Sequence, residues 1–273
     1  MGQKEATSIR PFVLFTYLLF WILFSITGLA VFLQAPPIVL TVLKNICAWS
    51  STFVVLLLLR HTKESIPDFI KKQFPRVGIA DFMIPTVIQA LIVALSILCF
   101  ILLRGESVKG LSYIKLSDIV PAILINITSG PSGEELGWRG YALNALQKKH
   151  SPLVSAILIG LLWGAWHFPL WLVSGLSGYD LVVYSLSFML GICSFSVFLT
   201  YFYNKSKNLL VAVWVHFLFN MLLQIVLIED YRLITIVSVF YLVASTLLIL
   251  IDKKSMTTND SLTSAAPRVG GSS

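Results

Sequence analysis

Long apolar runs separated by short polar connectors set the pattern of this chain. A helix needs about 20 apolar residues to cross a ~30 Å hydrocarbon core. By that rule the pattern predicts an all-α, polytopic membrane helical bundle with about eight transmembrane helices. They cover Phe12–Leu33, Ile38–Leu59, Ile79–Leu103, Ser117–Leu146, Leu153–Val173, Leu181–Tyr203, Leu209–Ile228 and Leu233–Ile251, give or take a few residues. The first run is too long for the apolar stretch of a signal peptide and reads as an anchor helix. The fourth is irregular, because Ser129-Gly130-Pro131-Ser132-Gly133 interrupts it.

The connectors carry the orientation. Lys4, Arg10, Arg60, Lys63, Lys71, Lys72, Arg76, Lys148, Lys149, Lys205, Lys207, Lys253 and Lys254 fall on one side of such a bundle. Arg104, Lys109, Lys115 and Arg232 fall on the other. Cytoplasmic loops are the ones enriched in Lys and Arg, so both termini are expected in the cytoplasm. The stretch His61–Arg76 is basic and amphipathic; a helix lying on the membrane surface and a solvated loop both fit it. The chain after Asp252 is polar and rich in Ser and Thr, and is expected to be disordered.

Composition sharpens this picture. Hydrophobic residues make up 57% of the chain and charged ones only 12%. A soluble domain carries about a quarter charged residues, so the lipid bilayer is the first partner implied. The net charge of +7 does not point to nucleic acid. The basic residues sit in connectors, not in a stripe or an aromatic-lined groove. Cys47, Cys99 and Cys193 all lie in apolar runs without CxxC spacing, as packed free thiols do.

Ionisable groups within a spanning helix cost about 2.5–3.5 kcal/mol each on insertion scales and mark candidate sites. Here they are Glu134, Glu135, Arg139, His167 and His216, with Asn220 as a polar neighbour. A helix restarting near Pro131 gives Ser132 and Glu135 the spacing of a capping box. Glu135 and Arg139, four apart, can also pair. Glu134 points about 100° away from Glu135 and is left for chemistry, as a general base acting on water. His167 follows Trp163 by one turn; alone, it fits a packing histidine as well as a site residue. His216 and Asn220 share a helix face, and both can donate to an oxyanion or take part at a metal. There is no HExxH and no GxSxG.

Taken together, Glu134-Glu135-Leu-Gly-Trp-Arg139, Trp163-Gly-Ala-Trp-His167 and His216-Phe-Leu-Phe-Asn220 resemble the CPBP family. That family of intramembrane proteases joins CAAX proteases with bacteriocin-processing enzymes. Trp163 stands where Phe is common, and the Gly-Pro-Ser-Gly lead-in looks like a prokaryotic branch, which sets a prenylated substrate in question. The resemblance implies an intramembrane endopeptidase of a prokaryotic cell membrane, cutting a membrane-anchored protein or peptide. Glu134 and His167 would activate water, His216 and Asn220 would form the oxyanion hole, and Arg139 would hold Glu135. The resemblance leaves metal dependence open, with Glu134, His167 and His216 as candidate ligands for a divalent ion such as zinc. It divides the chain into N-terminal helices with the basic loop (1–116), a catalytic core (117–228), a last helix (229–252) and a polar tail (253–273). Two other readings remain: a non-catalytic immunity or scaffold protein on the same fold, and a proton-coupled transporter.

Overall fold

The computed structural model describes residues 9–105, 111–228 and 230–258. Lys4, Lys109 and residues 259–273 of the expected tail lie outside them. The regular structure of the described residues is all helical apart from one isolated β-bridge, Tyr113 to Val226. In order come α1 (Arg10–Phe32), α2 (Pro37–Ala48), α3 (Ser50–His61), α4 (Ile66–Lys71), α5 (Ala80–Arg104), α6 (Leu116–Thr128) and α7 (Pro131–Glu135). A π-helical segment, Leu136–Leu143, joins α7 to α8 (Asn144–Leu146). Then follow α9 (Pro152–Trp166), α10 (Phe168–Leu172), α11 (Gly178–Ser206), α12 (Leu209–Ile225), α13 (Arg232–Ile251) and α14 (Lys253–Thr257). Proline stands in the first turn of α2, α7 and α9, where its missing N–H costs nothing.

The expected number of spans does not hold. Among the described residues four helices, α1, α5, α11 and α13, are long and apolar enough to cross a membrane. A fifth span exists only if α2 and α3, bent by 51°, are counted as one. The other apolar runs are interrupted or short. Ser117–Leu146 breaks between α6 and α7 and then loosens into the π-helical segment. Leu153–Val173 breaks at His167, where Pro169 in the first turn of α10 cannot continue the hydrogen bonding of α9. Helix α12 has 17 residues, about 26 Å of rise, before the chain turns extended at Val226. Apolar composition over 20 residues therefore did not imply one continuous helix.

Small and polar contacts bring the helices together. Helix α11 lies between α9 and α13. Ser238 Oγ donates to the Ser187 carbonyl (2.7 Å), and Ser245 Oγ to that of Ser194 (2.7 Å). Gly191 faces Ser238 too closely for any side chain, the close approach that small residues permit. Tyr241 OH donates to Gln89 Oε1 (2.9 Å), tying α13 to α5.

The bundle has two distinct ends. At one, Asn144, Tyr203 and Gln73 form a chain of hydrogen bonds, Asn208 Nδ2 donates to the Pro75 carbonyl, and Lys205 pairs with Asp252 (3.4 Å). At the other, Arg104 and Arg232 share Asp230 (3.7 and 3.5 Å), and Tyr231 OH donates to Asp180. There the Ile114 N–H also bonds the Ile225 carbonyl (3.0 Å).

Candidate active site

The break between α6 and α7 is fixed from outside by the start of α3. Trp49 Nε1 donates to the Thr128 carbonyl (2.9 Å). Thr52 Oγ1 donates to the Gly133 carbonyl (2.7 Å), and Ser51 Oγ reaches the carbonyls of Gly133 and Glu134 (3.3 and 3.2 Å). Helix α7 starts from Gly130 with no side-chain cap, so the expected Ser132–Glu135 capping box is absent. The Gly130 carbonyl instead accepts from the Glu134 N–H (2.8 Å).

The two adjacent glutamates diverge as helical geometry requires. Glu135 is fully buried and accepts on Oε1 from Arg139 Nη1 (3.1 Å) and from His216 Nδ1 (2.7 Å). It therefore joins α7, the π-helical segment and α12 through one oxygen. The Arg139 guanidinium also lies 4.2 Å from the centre of the Trp163 ring, a cation–π contact. Asn144 Nδ2 donates to the carbonyls of Arg139 and Gly140 (3.0 and 2.9 Å), serving the wide turn of the π-helical segment that presents Arg139.

Glu134 faces the other way, into a cavity of about 810 Å³. Trp163 Nε1 donates to its Oε2 (2.6 Å). Oε1, Asn220 and His216 surround the Cα of Gly130: a Cβ built there would sit 3.4 Å from Asn220 Nδ2, 3.5 Å from Glu134 Oε1 and 3.8 Å from His216 Cε1. His167 lines the same cavity, at the break between α9 and α10. Its Nδ1 is 2.7 Å from the Trp163 carbonyl. A carbonyl only accepts, so Nδ1 carries the proton and a neutral ring offers Nε2 as a base. Glu134, His167, His216 and Asn220 thus share one cavity, while Glu135 and Arg139 stand behind its wall.

Most of the cavity wall is apolar, with Phe20, Phe24 and Val31 from α1 and Leu170 and Val173 from α10 and its end. Lys44 of α2 also lines it, and has no ion-pair partner among the described residues. A lone lysine in the apolar run Ile38–Leu59 was a legible signal that the reading of connectors passed over. The hydroxyls of Ser51 and Thr52 were not legible, because their partners are backbone carbonyls more than 80 positions away.

A model of the Type II CAAX prenyl endopeptidase Rce1-like family matches residues 116–222, which include all of these motif residues. The chain is also 32% identical over 212 residues to CAAX prenyl protease 2 of the archaeon Methanococcus maripaludis, covering 73% of this chain and 77% of that one. The chain belongs to the CPBP (CAAX protease) family. The matched segment of this family member runs from the start of α6 into α12, and so carries α7 and α9 as well.

The family resemblance makes Glu134, His167 and His216 candidate ligands for a divalent ion. Among the described residues no three His, Cys, Asp or Glu side chains come together as a ligand set. One nitrogen of His216 is taken by Glu135 and one of His167 by a carbonyl. That leaves one ring nitrogen on each histidine, but the three side chains do not form a ligand set as placed, and the chemistry proposed below runs through the side chains themselves.

Proposed function

We propose that this protein is an intramembrane endopeptidase of a prokaryotic cell membrane, hydrolysing a peptide bond of a membrane-anchored protein or peptide. The observation that carries the reading is the meeting of Glu134, His167, His216 and Asn220 on one mostly apolar cavity. The family resemblance supports hydrolysis, and the named relative is itself called a protease.

The proposed steps follow from the donors and acceptors present. The Trp163 indole fixes Glu134 through Oε2 and leaves Oε1 for a water. His167 Nε2 orients that water as a second acceptor. Glu134 takes a proton as the water oxygen attacks the peptide carbonyl carbon. Negative charge then develops on the carbonyl oxygen. Asn220 Nδ2 is a donor in any state of the site. His216 donates from Nε2 in its doubly protonated form, with Glu135 as counter-charge at Nδ1. When the C–N bond breaks, the proton held by Glu134 passes to the departing amine nitrogen. Glu135 and Arg139 position the donors and touch no reacting atom.

Comparative membrane proteomics of cells carrying the wild type or Glu134→Ala tests this. Shortened membrane-anchored proteins are expected in the wild type alone, with equal amounts of both proteases in the membrane. The same shortened proteins in both strains would reject Glu134 as the base. A null strain rescued fully by Glu134→Ala would instead favour a non-catalytic role on this fold.

A further inference from the structure

Among the described residues that line the cavity, Lys44 is the one lysine or arginine and Glu134 the one carboxylate. They form no ion pair with each other, and Lys44 forms none with any other described residue. Two packed helices set its position. Lys44, Cys47 and Ala48 all line the cavity, and spacings of three and four put them on one face of α2. Thr27 and Val31 of α1 line it with the same spacing. Thr27 Oγ1 and Cys47 Sγ, 3.4 Å apart, join the two faces, and Lys44 stands one turn earlier in α2.

Helix α2 is also held against the break before α7. Ser129 Oγ reaches Asn45 Oδ1 (3.4 Å), and beyond the end of α2 Trp49 Nε1 donates to the Thr128 carbonyl (2.9 Å). That break carries Gly130 and, one turn on, Glu134. The backbone of Lys44 is thus fixed relative to the reacting groups by contacts that leave its ammonium free. A charge in an apolar wall is costly unless something neutralises it. Glu135 cannot do so, because Arg139 and His216 already share it. A peptide that brings a carboxylate into the cavity meets Glu134 as a like charge and Lys44 as an opposite one. The two together orient it, with the anionic group at α2 and the bond to be cut at Glu134.

We infer that Lys44 is a specificity residue, binding a carboxylate of the peptide in the cavity, its C-terminus or an acidic side chain. The peptide class that follows is apolar, to match the wall, with one carboxylate for Lys44. That this peptide is a substrate rests on the proposed peptidase reading; the preference for a carboxylate is a property of binding.

The test uses the purified protein in liposomes and one mixture of apolar peptides made in three forms. The first has a free C-terminal carboxylate, the second a C-terminal amide, and the third a C-terminal amide plus one Asp side chain. New C-termini counted by mass spectrometry give kcat/KM. The wild type is expected to cut one carboxylate-bearing form, or both, about 10–100-fold better than the uncharged amide, the range of a hydrogen bond to a charged group. The preferred form identifies the source of the carboxylate. Lys44→Met, which keeps the apolar stem, is expected to bring that form down to the level of the amide through KM, with the amide unchanged. Lys44→Arg is expected to keep the preference. Equal cleavage of all three forms by the wild type overturns the inference, as does an equal loss on all three in Lys44→Met. Binding of the same peptides, fluorescently labelled, to Glu134→Gln separates this inference from the peptidase reading. If the wild type cuts nothing but Lys44→Met abolishes carboxylate-dependent binding, the peptidase reading falls and the carboxylate site stands. Binding that is blind to the carboxylate overturns the site, whatever the cleavage.

Discussion

Three of the cavity's polar side chains, Glu134, His216 and Asn220, lie around Gly130. Its missing side chain leaves the space between Asn220 Nδ2, Glu134 Oε1 and His216 Cε1 open. A methyl group there would touch all three at ordinary van der Waals distances, between 3.4 and 3.8 Å. The fold therefore tolerates Gly130→Ala, while the methyl occupies the place where a water must stand. The expected outcome is an unchanged thermal midpoint in detergent and a loss of cleavage on the order of 100-fold, as small displacements at reacting centres produce. Full cleavage by Gly130→Ala would show that the water stands elsewhere.

At the scale of elements, the short helix α7 depends on its neighbours. It has five residues and no side-chain cap, so its own hydrogen bonding holds it weakly. Helix α3 holds it from outside, with the Ser51 and Thr52 hydroxyls donating to the carbonyls of Gly133 and Glu134, and Trp49 closes over it. A Cβ on Gly133 would come within 2.6 Å of Trp49 Cδ1. That ring is fixed by its bond to the Thr128 carbonyl and cannot swing aside without losing it. Gly133→Ala is expected to destabilise the protein by about 1–3 kcal/mol, the usual cost of overpacking. It should show as a lowered thermal midpoint in detergent. An unchanged midpoint would mean that the contact between α3 and α7 is loose.

At the scale of the whole molecule, the sequence was legible where chemistry is costly and illegible where contacts are distant. Charged and polar groups in apolar runs singled out Glu134, His167, His216 and Asn220, and the fold gathers them on one cavity. The spacing of Glu135 and Arg139 foretold their ion pair. It did not foretell that Glu135 also reaches His216, 81 positions on, because that bond depends on how α7 and α12 pack. The number of spans differs from the hydrophobic pattern for a related reason. Hydrophobicity reports where a segment is comfortable, whereas Gly130, Pro131 and Pro169 decide where its helix stops. Those interruptions are also what expose polar groups to the cavity: Glu134 follows one break and His167 occupies another.

The central claim is that Glu134 activates a water that cuts a peptide bond. Its most direct test uses the purified protein in liposomes with a mixture of apolar peptides in water enriched in oxygen-18. The wild type is expected to generate new C-termini carrying one heavy oxygen, and Glu134→Gln, at equal folded amount, none above background. Equal cleavage by Glu134→Gln, or new C-termini without heavy oxygen, would contradict it.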